Sequence, residues 1–196
     1  ATAELTGKQL TVSDTDVRSG ATGTKSAYMK SIKATVMGVG AFAAGNLFVG
    51  DFGEIAGMGG IVEFGREFDF NVRPKAIRFW VKNNEGTINE GSHTTGTDLA
   101  KVYCCFSDRK YIVNTNNEET FFVPSIETNG VLASAVWETH ESHSEWTLIE
   151  IPITYRDNLT TKPTQLILTF TCSGYGDYFT GSTDSWMKVD DVELVY

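Results

Sequence analysis

Apolar and polar residues alternate with a period of two along most of this chain. The alternation is clearest in AYMKSIKATV (Ala27–Val36), KAIRFWVKN (Lys75–Asn83), AKVYCCF (Ala100–Phe106), TLIEIPITY (Thr147–Tyr155), QLILTFTC (Gln165–Cys172) and WMKVDDVELVY (Trp186–Tyr196). Successive side chains of a strand point to opposite faces, so this pattern predicts half-buried strands. β-Branched and aromatic residues fill these segments, and turn formers such as Asn83-Asn84-Glu85-Gly86 and Asn129-Gly130 separate them. No stretch holds a 3.6-residue period for more than about one or two turns. The expected fold is all-β, most simply a two-sheet sandwich. Two stretches read as connections. Gly38–Gly60, with its eight glycines, predicts a long loop, and Asn116–Glu119 predicts a hairpin turn.

With 196 residues, 41% hydrophobic and 12% aromatic, the chain suits one domain spanning 1–196 with a sizeable core. Its net charge of −9 and scattered basic residues argue against nucleic acid and against an anionic membrane surface. No apolar run approaches the roughly 20 residues needed to cross a bilayer, so this domain is not expected to insert in a membrane. The opening ATAELTGKQL lacks a start methionine and a signal pattern, as expected of a fragment or a mature form. Cys104, Cys105 and Cys172 read as buried thiols. A bridge from Cys172 to Cys104 or Cys105 needs neighbouring strands, which the sequence leaves open.

Three further segments carry a resemblance. AGNLFVGDF (Ala44–Phe52) is similar to a "GNLFTG" element, FNVRPKAIRFWVKN (Phe70–Asn83) to an "RP" element leading into a long strand, and YGDYFTGSTDSWMKVDDVELVY (Tyr175–Tyr196) to a closing "GDYFTG" loop and "VDD" strand. Together they resemble the family named putative carbohydrate-metabolism domain, found at the C-termini of surface lipoproteins of gut Gram-negative bacteria. The resemblance implies a galactose-binding-like jelly-roll β sandwich, a place near the end of a longer lipoprotein, and export to the cell surface or periplasm. It implies a poly- or oligosaccharide partner and neighbouring domains of the parent chain. In related jelly rolls an aspartate at the position of Asp190 or Asp191 helps to hold a structural calcium, so these two are the candidate metal ligands. No other cofactor is expected.

The residues themselves suggest two ligand-binding places. Tyr175, Tyr178 and Trp186 offer flat rings for the apolar face of a sugar, and Asp177 offers an acceptor for its hydroxyls. The alternative is that Phe179 and Trp186 plug one end of the sandwich. In KAIRFWVKN the alternation sets Arg78, Trp80 and Lys82 on the face opposite Ile77, Phe79 and Val81. That outer face is either a sugar platform or a structural arrangement in which the cations cover Trp80. Ile149, Ile151, Ile153 and Tyr155 form a core stripe, with Glu150 opposite.

Catalysis has less to recommend it. The acid pairs Glu138 with Glu141 and Glu118 with Glu119 are as expected by chance among 25 acidic residues, and His140-x2-His143 lacks a visible third ligand. No nucleophile elbow, phosphate loop or His–Glu-x-x-His motif is present. The sequence therefore predicts a non-catalytic carbohydrate-binding or accessory domain. The rivals are a glycoside hydrolase using a carboxylate pair and a structural module without a ligand.

Overall fold

The computed structural model describes residues 9–36, 39–56, 59–157 and 159–196, and the chain is all-β. The strands are β1 (Thr11–Asp14), β2 (Ser26–Lys30), β3 (Ile32–Val36), β4 (Val39–Ala43), β5 (Asn46–Phe48), β6 (Gly50–Ala56), β7 (Gly59–Phe64) and β8 (Arg66–Glu67). They continue as β9 (Ala76–Asn84), β10 (Ala100–Ser107), β11 (Tyr111–Asn114), β12 (Val131–Thr139), β13 (His143–Pro152), β14 (Thr154–Tyr155), β15 (Gln165–Thr171) and β16 (Trp186–Val195). One sheet runs β1-β2-β16-β9-β13. A second runs β14-β12-β10-β15-β5, with β8 also paired to β15.

These two sheets face each other across the main core. Ile77, Phe79, Val81, Met187 and Val189 from the first meet Val102, Cys104, Phe106, Ala133, Ala135 and Phe170 from the second. Phe79 and Phe106 are fully buried, and each burial contributes roughly 1.5–3 kcal/mol. The period-two reading of β9 holds, with Arg78, Trp80 and Lys82 on the outer face. Ile149, Ile151, Ile153 and Tyr155 all reach the core, although the chain changes sheet between β13 and β14.

Three expectations from the sequence need correction. The Gly38–Gly60 stretch is strand rather than loop over most of its length, supplying β4, β5, β6 and the start of β7. Its glycines allow close packing: a Cβ at Gly60 would lie 2.8 Å from the Phe52 ring, closer than side-chain atoms pack. Ala27–Val36 is two strands in two sheets, divided at the buried Ser31, whose N–H donates to Ser185 O. Asn116–Glu119 is no hairpin turn; it enters a short 3-10 turn over Glu118–Thr120, which the Asn117 side chain caps.

The two smaller sheets decide where a ligand can go. β11-β7-β6 lies over the outer face of the second sheet, where Phe64, Tyr111 and Phe122 pack on Tyr103, Cys105, Val131 and Ile167. The β3–β4 hairpin stands beside it and carries the buried Phe42. The three cysteines are buried free thiols, and burial pushes Cys105 and Cys172 up to about 12.

Candidate functional site

Between the small sheets part of the outer face of β10, β15 and β5 is left open and forms the floor of a cleft of about 390 Å3. That volume lies within the range of small-molecule sites. The antiparallel register arranges the floor in rows. Lys101, Thr171 and Asn46 are successive partners across β10, β15 and β5, and Tyr103, Thr169 and Phe48 form the next row, two residues along. The walls come from Phe42 of the hairpin, from Phe52, Val62 and Phe64 of β6 and β7, and from Phe122. Gly174, Gly176, Asp177 and Phe179 close the remaining side.

The polar groups of this cleft divide into satisfied and unsatisfied. Thr171 Oγ1 donates to Ser173 O, and Thr115 Oγ1 to Gly60 O. Lys101 pairs with Glu138 at 2.8 Å. Thr169, only 6% exposed, has an Oγ1 without a hydrogen-bond partner of good geometry among the described residues. Its cross-strand neighbour Tyr103 is pushed up in pKa by burial, while the adjacent Thr169 hydroxyl works the other way. Asp177 is exposed by area yet projects into the concavity, with protein on most sides. Desolvation raises its carboxyl pKa, and the nearby Lys101 charge opposes the rise.

The side bearing Asp177 is held by a buried carboxylate. Asp98, fully buried, accepts from Ser173 Oγ at 2.9 Å, from Ser182 N at 2.7 Å, from Ser185 Oγ at 2.9 Å and from Leu99 N at 2.8 Å. These bonds tie the end of β15 to the approach to β16 and fix the segment between them. Gly181 lies where a Cβ would collide with the Phe42 ring and Ser173 Oγ, so the wall and the network can approach only over a glycine. Next to this cluster Glu85 accepts from Asn83 Nδ2 at 2.8 Å but leaves Oε2 without a hydrogen-bond partner among the described residues; burial raises its pKa to about 8.

The residues expected from the sequence fall in two places. Asp177 lines the cleft, together with Phe179, while Tyr175 and Tyr178 stand outside its lining. The Tyr178 ring stacks on His93 with centroids 3.7 Å apart and meets Phe121 edge-on at 5.4 Å; Tyr175 lies 6.1 Å from His93. Trp186, Trp80 and Arg78 belong to the outer face of the first sheet, across the sandwich from the cleft. There Trp186 meets Tyr28 edge-on, Arg78 bonds Glu193, and the cation over Trp80 is Arg18, at 5.2 Å. Lys82, expected along Trp80, lies over Trp146 instead.

Asp190 and Asp191 do not point to opposite faces as strict alternation requires, because β16 bulges there. Asp191 has φ of 44°, and the register shifts between Asp190 and Glu193. The bulge restores Leu194 to the core and Glu193 to the outer face beside Arg78. Arg18 takes both carboxylates, donating its backbone N–H to Asp190 Oδ2 and its Nε to Asp191 Oδ2. Calcium needs about 6–8 oxygens; of this pair Asp191 is taken by the Arg18 guanidinium, and Asp190 by the backbone N–H groups of Arg18 and Asp191. Among the described residues no group of three or more His, Cys, Asp or Glu is placed to hold a metal. His140 and His143 face different partners, the carbonyl of Asp98 and the side chain of Asn83.

Sequence reasoning missed the cleft floor. The alternation in AKVYCCF already set Lys101 and Tyr103 on the face opposite Val102 and Cys104, but that face reads as solvent until the small sheets are seen to wall it. Phe42, Phe48 and Phe52 were hidden in the stretch read as a loop.

Fold and cleft together define a β-sandwich module with a concave, aromatic-walled site on the outer face of one sheet. The chain belongs to the family described as Putative carbohydrate metabolism domain, whose model matches residues 3–195. Among solved structures it is similar to a putative glycoside hydrolase from Bacteroides thetaiotaomicron (TM-score 0.71, 19% identity, covering 97% of this chain and 57% of that one). It is also similar to a putative glycoside hydrolase from Bacteroides vulgatus (TM-score 0.68, 22% identity, covering 95% of this chain and 77% of that one). No curated protein matches the sequence.

Proposed function

We propose that this domain binds carbohydrate without cleaving it, in the cleft over β10, β15 and β5, as an accessory module of a longer exported cell-surface protein. The observation that carries the reading is the pairing of an aromatic wall with the Asp177 carboxylate, raised in pKa by desolvation, in one concave site. Sugars present just such a mixture of apolar C–H faces and hydroxyl rims. Phe52, 39% exposed in the wall, is the ring best exposed for stacking. Hydrolysis asks for two carboxylates about 5–10 Å apart, and Asp177 is the carboxylate among the described lining residues. The names of the two solved neighbours keep a hydrolase as the rival reading.

A glycan array probed with wild type, Asp177→Asn and Phe52→Ala tests this. Binding by wild type that weakens at least about tenfold in both variants is expected. Release of reducing sugar that stops in Asp177→Asn establishes the hydrolase instead, and failure to bind any glycan removes the proposal.

A further inference from the structure

We propose that the cleft is a blind pocket that takes the end of a glycan chain and excludes its interior. This rests on the carbohydrate-binding reading above and names the part of the glycan that is bound. The walls meet one another all the way round. Phe48 of β5 and Phe64 of β7 touch edge-on, with centroids 5.4 Å apart, and Phe64 meets Phe122 at 5.9 Å. The adjacent Phe121 meets Tyr178 edge-on at 5.4 Å, so this wall joins the segment that carries Asp177. That segment lies in turn against the end of the β3–β4 hairpin, since a Cβ at Gly176 would fall 2.6 Å from that of Ala44. Ala44 and Gly45 then lead from β4 back into β5, which completes the circuit.

Rings at these separations are in van der Waals contact and leave no gap for a sugar. The floor stops with the circuit. Across the sheet Lys101 continues to Glu138 and Tyr103 to Val136, yet neither of these β12 residues lines the cleft. Among the described residues the way in is therefore from above the floor, between Ala34 and Ala41 of the hairpin and Phe52 and Gly60 of the β6–β7 pair. A chain held by its interior needs two exits, whereas a chain end needs one. The volume agrees, because 390 Å3 lies near the lower end of the roughly 300–1,000 Å3 of small-molecule sites and suits a short segment. Asp177, in the lining, adds a chemical reason. An ionised carboxylate only accepts hydrogen bonds, and so does the oxygen of a glycosidic link. A terminal unit carries a free hydroxyl in place of that link, and the hydroxyl can donate.

Two measurements on wild type decide the matter. Soluble glucan, mannan, galactan and xylan are each offered intact and after partial acid hydrolysis, at equal mass, and the binding sites per gram are counted. Their purified oligomers of increasing length are then titrated by calorimetry. For whichever glycan binds, we expect the sites per gram to rise in proportion to the chain ends that hydrolysis exposes. Affinity should level off after about two or three units, as the size of the pocket requires. Sites per gram that stay constant or fall on hydrolysis, or affinity that keeps climbing with length, describe an open groove. Either result overturns the chain-end assignment while leaving the carbohydrate-binding reading intact. Binding to none of these polymers, their oligomers or any array glycan removes both. Tyr178→Ala opens the circuit at its contact with Phe121 and should raise the occupancy of intact polymer several-fold. A folded variant that keeps the full preference for chain ends overturns the inference, and the wild-type comparison stands if the variant is unstable.

Discussion

The two outer faces of the sandwich contain the same kinds of residues and use them in opposite ways. On the β9–β16 face, aromatic rings and charges satisfy one another. Asp16 accepts from Lys188 and from the Trp146 indole, with Lys82 at 3.3 Å, and Lys188 holds its carboxyl below the ordinary value. Arg18 covers Trp80 and binds the Asp190–Asp191 pair. On the β10–β15 face, by contrast, a carboxylate is raised by desolvation and a threonine hydroxyl is left without a good partner, under walls of phenylalanine. A surface whose polar groups have found each other has little to offer a ligand. One whose polar groups are held apart by a rigid frame has free energy to gain from binding. A tryptophan flanked by cations is thus a weaker guide to a site than a carboxylate desolvated in a cleft.

Four experiments would break or sharpen this contrast. The largest effect is expected at the frame of the cleft. Asp98→Ala strips four donors of their common acceptor, so it should cost at least about 3 kcal/mol in urea unfolding and abolish glycan binding with it. Retention of both stability and binding would show that the segment carrying Asp177 is held by other means.

Glu85 comes next. Its folded pKa, about 8 against an ordinary 4.5, means that the native state holds the proton more tightly than the unfolded chain. Its contribution is therefore fully present below about pH 4.5 and is lost as the pH climbs to about 8. Glu85→Gln should remove most of this decline and exceed wild type in stability at pH 9 by roughly 2–4 kcal/mol. Identical slopes between pH 5 and pH 9 in the two proteins would contradict it.

A smaller effect belongs to the cleft itself. Asp177→Asn should weaken glycan binding about tenfold, near 1.4 kcal/mol, with stability unchanged within about 0.5 kcal/mol. A variant that loses stability but not affinity would make Asp177 a framework residue. The smallest effect is reserved for the opposite face. Arg78→Ala removes surface pairs with Glu193 and Glu150, which should matter by under about 0.5 kcal/mol in melting and not at all in glycan titration. Any loss of glycan affinity there would move the site across the sandwich.

Much of the fold was readable along the chain because a strand writes its two faces in alternate residues. β9, β10, β15 and β16 lie within a residue or two of their expected limits. The Gly38–Gly60 stretch was misjudged because glycine content signals loops on average, whereas here it lets rings and backbones approach within strands. The bulge at Asp191 was hidden for a related reason: an extra residue interrupts the period that alternation arguments rely on.

The sequence by itself determined that this is an all-β protein, which side chains of its long strands share a face, and that Asp177 sits in a glycine-rich segment. The tertiary structure alone decided which face is open. Whether Lys101, Tyr103 and Thr169 meet solvent, a neighbouring sheet or a ligand depends on where β6, β7, β11 and the β3–β4 hairpin come to rest. Those contacts join distant parts of the chain, as where Phe42 of the hairpin meets Gly181. Local periodicity carries no record of them, because packing between sheets is settled by the fit of whole surfaces and not by the neighbours of any one residue.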